Sequence, residues 1–361
     1  MTTPSPPVAV LGATGEVGRE AVRRLARAGS APLRLGGRDG ARAAAVADTV
    51  RAVVEVEART VDLDHPAALA AFCDGCRVVV NCAGPSYRVL DTVARAAWAA
   101  GADYVDVGGE SPARDALVAG AAPEGRVAVF SAGVMPGLSG ILPRLLTGRP
   151  LRRLESYVGG AAAFTPLSAV DALLTRGDRF GTAMAVARDG AVVANATSPL
   201  RAVHLPGFPV PMAAWPFLTA EARALPAREV RAYNVFRSDR VPQALARAWA
   251  ELSPDAPVAD IARHAPAVVE ASRGDVAESG AFYVMLFAAR PEPGAPAGPT
   301  RVLLTAQDSY ALSGAVMAWT AVAVLRGDVV PGAHLAADVL DPGAVAALLR
   351  DDPLVDSFAV T

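Results

Sequence analysis

The sequence predicts an α/β protein: a doubly wound parallel sheet, then a second domain built on a mixed sheet with helices on one face. Short apolar runs alternate with helix-periodic segments from residue 7 to residue 130, as parallel strands joined by crossover helices do. The first run enters "GATGEVG", in which Gly12, Gly15 and Gly18 are spaced for a tight turn into a helix. Beyond Pro136 the alternation stops and hairpin signals take over.

In order, the strands are expected at 7–11, 32–36, 52–56, 77–81, 103–106 and 126–130. The helices between them are expected at 16–28, 40–50, 66–72, 87–100 and 112–120. In the first helix Val17, Val22 and Leu25 fall on one face. After Pro136 a helix over 138–146 leads to a strand in "RRLESYVGG". "GTAMAVARDGAVV" reads as a hairpin turning at Asp189-Gly190. Further strands are expected at 199–204, 230–236 and 281–289, with helices at 167–175, 241–252 and 257–264. "PEPGAPAGP" over 291–299 is a hairpin tip or loop.

Composition narrows the function. The chain has 361 residues, 52% hydrophobic and 19% charged, which makes it globular with room for two domains. A net charge of −2 gives no electrostatic footprint for nucleic acid or an anionic membrane. "MTTPSPPVAVLG" has no basic region ahead of its apolar run, so no signal peptide is expected. The apolar stretch Ala311 to Leu325 is short for a bilayer span and is interrupted by Ser313 and Gly314. A cytoplasmic protein is expected.

The chain contains no lysine; every residue of its basic set is arginine. Lysine Schiff-base chemistry, a Walker P-loop and the Tyr-x-x-x-Lys pair of short-chain dehydrogenases are thereby excluded. Arginine is no substitute, because it stays protonated. The three cysteines include a Cys73/Cys76 "CDGC" pair, but there is no second pair and the nearest histidine, His65, lies in a turn. A helix-to-strand turn is the reading, and no metal site is expected.

Ligands of doubly wound sheets bind beyond the carboxyl ends of the strands. At the first end Gly12, Thr14, Gly15, Glu16 and Val17 form the turn and helix start that would cradle a pyrophosphate. At the second, "LGGRDG" carries Gly37 and Arg38 where a carboxylate would mark NAD, leaving room and a bidentate partner for the 2′-phosphate of NADP. Arg42 is a second partner, and Asp39 is read as a helix cap. At the third, Asp62 either accepts from the adenine amino group or sits in a plain turn, with Asp64 capping the next helix. At the fourth, Cys82, Ala83, Gly84 and Pro85 turn the chain towards the nicotinamide ribose. At the sixth, the loop from Gly133 through Met135 to Gly137 would pass over the nicotinamide, with Ser139 opening a helix aimed at the pocket.

"GATGEVG", "GGR", "VDLD", "NCAGP", "AAGADYVDVGGE" and "SAGVMPGLSG" occur in the order seen in saccharopine dehydrogenase-like NADP-binding oxidoreductases, and the chain resembles that family. "AQDSYALSGAVMAWTAVAVLRG" is similar to its closing segment. The resemblance implies a Rossmann domain over 1–135 and 306–361, with a last helix packing back on it, and a substrate and dimerisation domain over 136–305. It implies hydride transfer from NADPH, a small-molecule substrate, and a homodimer formed through the second sheet.

A reductase of an imine or enone also needs a proton source. The candidates at strand ends are Tyr87, Tyr104, Asp106 and Glu110. Alternation puts Tyr104 and Asp106 on one face; Tyr104 reads first as a packing tyrosine, and Glu110 equally as a helix-start charge. In the second domain His204 is read on a strand where it could face the cleft, and Arg176, Arg179 and Arg237 as carboxylate clamps or surface charges. The leading expectation is an NADPH-dependent reductase of a C=N acceptor. Reduction of a conjugated C=C and a non-catalytic NADP-binding redox sensor are the alternatives.

Overall fold

In the computed structural model, which describes residues 5–120, 125–253 and 255–361, the chain divides into two compact units. The first takes in residues up to Gly137 together with Tyr310–Leu340, and the second Leu138–Ser309 with Asp341–Thr361.

The first unit is a doubly wound, all-parallel sheet. Its strands are β1 (Val8–Leu11), β2 (Leu33–Gly37), β3 (Val56–Thr60), β4 (Val78–Asn81), β5 (Asp103–Asp106) and β6 (Val127–Phe130). The helices between them are α1 (Glu16–Ala28), α2 (Gly40–Asp48), α3 (Pro66–Cys73), α4 (Ser86–Val89), α5 (Thr92–Ala99) and α6 (Glu110–Val118). A seventh strand, Gly332–Leu335, pairs with β6, and the order runs from it through β6, β5, β4, β1 and β2 to β3. Strand order reverses between β1 and β4, which is where such sheets open a ligand crevice.

Both faces of the strands are apolar because both are covered. Ala9, Leu11, Val79, Ala128 and Phe130 pack with Leu69, Phe72, Val93, Ala97, Ala113 and Leu117 of α3, α5 and α6. The helix Ser309–Arg326 packs on α1, where a Cβ on Gly314 would sit 2.5 Å from the Val17 carbonyl oxygen. By length and hydropathy it could cross a membrane, yet Leu312, Ala315, Val316, Met317 and Ala321 are buried within the protein.

The second unit carries a ten-stranded mixed sheet. Leu151–Ala161 and Glu229–Phe236 run parallel at its centre, flanked by Phe282–Pro291, Arg301–Ala306 and Val355–Val360 on one side. The hairpin at Asp189-Gly190 forms as expected, both residues taking positive φ (48° and 80°), as its tight turn requires. Helices Pro166–Leu174, Arg240–Glu251 and Ala265–Ser279 share an apolar cluster of their own.

Several boundaries differ from the expectation. β3 starts at Val56 instead of residue 52, because Val53 lies in an exposed turn and Leu33 N–H bonds the Glu55 carbonyl to set the pairing. The helix expected over 87–100 is broken at Leu90, which takes φ 47°. The one expected over 138–146 is an α-turn, Leu138–Ile141, passing into a 3₁₀ helix, Leu142–Leu146, with Pro143 in its first turn. The segment 341–361, expected with the first sheet, belongs to the second: Val355–Val360 pairs antiparallel with Arg301–Ala306.

Candidate active site

The turn after β1 is built from close approaches. Gly12 takes φ 76°, and a Cβ there would lie 2.6 Å from Ala83 N, so the turn abuts the loop after β4 at the switch point. A Cβ on Gly18 would fall 2.2 Å from the Gly12 carbonyl oxygen, so α1 presses directly on the turn. Gly15 differs: the nearest atom to its Cβ would be Gly12 O at 3.4 Å, and it is exposed. It is the N-cap of α1 and supplies no side-chain cap, which leaves first-turn amides for an anion. Thr14 and Val17 are half-buried beside it, and the exposed Glu16 pairs with Arg19 at 2.5 Å.

At the end of β2, a Cβ on Gly37 would meet only the Thr14 side chain, at 3.8 Å. Arg38 is exposed, and among the described residues no side-chain hydrogen bond or ion pair engages the guanidinium of Arg38 or Arg42. Asp39 caps α2, accepting from Arg42 N at 3.0 Å. At the end of β3, Asp62 is turned into its own loop: Oδ1 accepts from Asp64 N at 3.0 Å and Oδ2 lies 3.5 Å from His65 Nδ1. Asp64 does not cap α3; its carboxylate holds Arg88 at 2.8 Å.

The loops after β4 and β5 contain the expected acids, and the structure sorts them into two groups. Tyr87 Oη donates to Glu110 Oε1, joining the two loops. Glu110 is 3% exposed, starts α6 and holds φ 50°, an unusual setting for a non-glycine residue. Tyr104 and Asp106 share a face as alternation predicts, but both are fully enclosed, at 0% and 1% exposure. Asp106 Oδ1 accepts from Gly108 N at 2.8 Å, while Oδ2 accepts from Asn81 Nδ2 at 3.0 Å and from the Tyr104 hydroxyl. Burial pushes the Asp106 carboxyl up against the downward pull of these three bonds, and burial beside Asp106 pushes the Tyr104 phenol well up. As direct proton donors they are misplaced, because both are enclosed and their hydrogen bonds run to one another, to Asn81 and to the Gly108 amide. Asn81, which sequence reasoning treated only as the end of a strand, is the third member.

Cys82 N–H bonds Leu11 O at 2.8 Å, and burial pushes its thiol up. Ala83, Gly84 and Pro85 follow half-buried, Ala83 N–H donating to Asn81 Oδ1 at 3.1 Å. After β6, Gly133 is packed beneath Val107, where a Cβ would meet the Val107 carbonyl at 2.9 Å. Val134 N–H reaches Ser313 Oγ at 3.2 Å, and Met135 is 44% exposed at the loop's crest. Cys73 closes α3 and Cys76 precedes β4, both buried, with the Cys73 thiol pushed up to about 12 by burial. Among the described residues no three His, Cys, Asp or Glu are grouped to hold a metal ion.

In the second unit the expected groups are otherwise engaged. Ser139 lies in a single helical turn and its Oγ donates to Glu221 Oε2 at 3.3 Å, so no helix opens there towards a ligand. His204 falls just past the strand Leu200–Val203 and is exposed. Arg176 donates to Leu252 O at 2.6 Å, and Arg179 lies over the Phe180 ring. Arg237 is half-buried, its Nε shielded and without a hydrogen-bond partner.

The sequence profile of the saccharopine dehydrogenase NADP-binding domain matches residues 8–129, which span β1 to β6 and the strand ends from β1 to β5 described above. This segment belongs to that domain family. NADP(H) is the cofactor, and the chain is an NADP-dependent oxidoreductase. The fold matches along the whole chain: saccharopine dehydrogenase (L-Glu forming) from Saccharomyces cerevisiae superposes with a TM-score of 0.65 at 15% identity, covering 99% of this chain and 100% of that one. A short-chain dehydrogenase from Rhodopseudomonas palustris covers 29% of this chain and 65% of its own, at 19% identity and a TM-score of 0.25. Triphenylmethane reductase from Citrobacter sp., complexed with NADP(H), covers 28% and 37%, at 24% identity and a TM-score of 0.24. No curated protein sequence matches the chain.

Proposed function

We propose that this oxidoreductase reduces a C=N acceptor, with Tyr87 and Glu110 handling the proton. The pairing of the Tyr87 hydroxyl with the buried Glu110 carboxylate carries this reading. It joins the loops after β4 and β5, on the crevice side of the sheet, and Tyr87 alone among the four candidate acids is half-exposed. Bound NADPH supplies a hydride for the acceptor carbon. Gly15 leaves space for the pyrophosphate at the start of α1, and Arg38 with Arg42 answers the 2′-phosphate.

Tyr87 O–H gives its proton to the acceptor nitrogen and, being half-exposed, regains one from solvent, while Glu110 accepts from the hydroxyl and holds it in place. The nitrogen ends as an amine, and Glu110 stays a carboxylate throughout. An imine nitrogen takes a proton readily, so one positioned hydroxyl suffices. Tyr104 and Asp106 take no part in this transfer, since they are sealed from the surface.

The test offers 4-deuterated NADPH with cyclic imines and with keto acid–amine mixtures, beside enones. Deuterium on the former imine carbon is expected. Tyr87→Phe should then lower turnover by about 10²–10⁴ while leaving NADPH affinity unchanged. Deuterium only in enone products would favour the C=C reading. Tight NADPH binding with no turnover of any acceptor would favour a sensor.

A further inference from the structure

We infer that Asn81, Asp106 and Tyr104 form a buried positioning network that holds the loops after β4 and β5 in the shape that receives the cofactor. Its members come from two neighbouring strands: Asn81 ends β4 and pairs with Asp106, which ends β5. All three are at most 1% exposed, so none touches a ligand itself. Their remaining bonds go to backbone on the ligand side. Asn81 Oδ1 holds Ala83 N–H at 3.1 Å, and Asp106 Oδ1 holds Gly108 N–H at 2.8 Å.

Those two amides sit where the loops meet. Ala83 N is the atom against which Gly12 packs so closely that a Cβ there would lie at 2.6 Å. Gly108 O accepts from Ser131 N at 2.9 Å, and Gly108 stands two residues before Glu110. One carboxylate with one amide thus sets the phosphate turn, the loop leading to Tyr87 and the loop leading to Glu110. A core polar cluster that served the sheet alone would have bonded within the strands. The apolar alternative occupies the preceding register position of the same strand pair, where Val80 faces Val105. Asp106, with donors on both oxygens, has no freedom to turn.

The direction of each bond makes the network testable by exchange. Asn81→Asp removes the amide donor to Asp106 and sets two carboxylates side by side. Asp106→Asn replaces one accepting oxygen with an amide donor, which faces either the Asn81 and Tyr104 donors or the Gly108 N–H. Made together, the two changes restore a complementary pair. The carboxylate at position 81 would then accept from Ala83 N–H and from the amide at position 106, whose oxygen would accept from Gly108 N–H and whose second N–H would go to the Tyr104 oxygen. The measurement is NADPH affinity by fluorescence titration at a temperature where all variants are folded, with melting curves alongside. Each single change should weaken NADPH roughly tenfold or more, as loss of a charged buried hydrogen bond does. The double exchange should return it to within about threefold of the parent.

Parent-like affinity in both folded single variants overturns the inference, whatever their melting temperatures, and so does a double variant no better than the singles. Should either single variant fail to fold, Tyr104→Phe decides. It removes one donor to Asp106 and keeps the ring on Phe130, 5.5 Å away. A loss of about threefold supports the network, and an unchanged affinity overturns it. The inference rests on the reading that these loops receive NADPH, and Gly15→Val separates the two. If Gly15→Val binds NADPH like the parent, that reading has failed; if it does not and the network variants bind normally, only the network has.

Discussion

Arg38 and Asp39 are neighbours with opposite tasks, and the difference comes from one bond. Asp39 turns back to cap α2 through Arg42 N, whereas the Arg38 guanidinium stays exposed beside the side-chain-free Gly37. An acid at the tip of this strand marks NAD sites because it accepts from a ribose hydroxyl; Asp39 has spent its acceptor on the helix. Arg38→Glu should therefore weaken NADPH by about tenfold or more relative to NADH, the size of a lost bidentate charged contact. Asp39→Ala should cost about 0.5–2 kcal/mol of stability, as cap removals do, without changing the ratio. Paired NADPH and NADH titrations of both variants check this. Equal loss of the two cofactors in Arg38→Glu would remove the 2′-phosphate assignment. The sequence made this pair legible because a cap and a strand-end cation each have a fixed place in the chain. It left Tyr104 unresolved, since alternation gives a side chain's face and not its depth.

At the scale of an element, the strand–turn–helix unit from β1 to α1 assigns different work to three glycines that look alike in sequence. Gly18 and Gly12 are structural, because a Cβ at either position collides with backbone at 2.2 Å or 2.6 Å. Gly15 has room for a side chain, in the space a pyrophosphate would take. Gly15→Val should fold, at a cost of about 1 kcal/mol for a poor cap residue, and lose NADPH binding. Gly18→Val should lose about 1–3 kcal/mol or more through overpacking and bind poorly for that reason. Melting curves with and without NADPH separate the two: only a folded, cofactor-insensitive Gly15→Val agrees with the site. Elements with one clear period were readable in advance, as α1 and β4 were. Those that failed carried contrary local signals. Met212–Leu218 contains Pro216, which argues against a strand, and the helix after β4 stops at Leu90 for reasons of backbone conformation that composition does not reveal.

Across the whole molecule, the sheet that gains the segment after residue 340 was the least legible feature, because a six-residue strand names no partner. Val355–Val360 lies at the edge of the second sheet, paired among the described residues only with Arg301–Ala306. Thr361 and Arg301 exchange both backbone bonds, at 2.9 Å each way. Narrow and wide pairs alternate along an antiparallel ladder, so Ala359, opposite Leu303, also turns its N–H inward, while Val360, opposite Val302, turns its N–H outward. Proline removes an N–H, and only the inward one matters to the ladder. Ala359→Pro should therefore destabilise the second unit by about 1–3 kcal/mol and expose the amides of Arg301–Ala306 to hydrogen exchange. Val360→Pro should do neither to a comparable degree. Exchange that accelerates in the first sheet's strands instead, or equally in both variants, would return this segment to the nucleotide-binding unit.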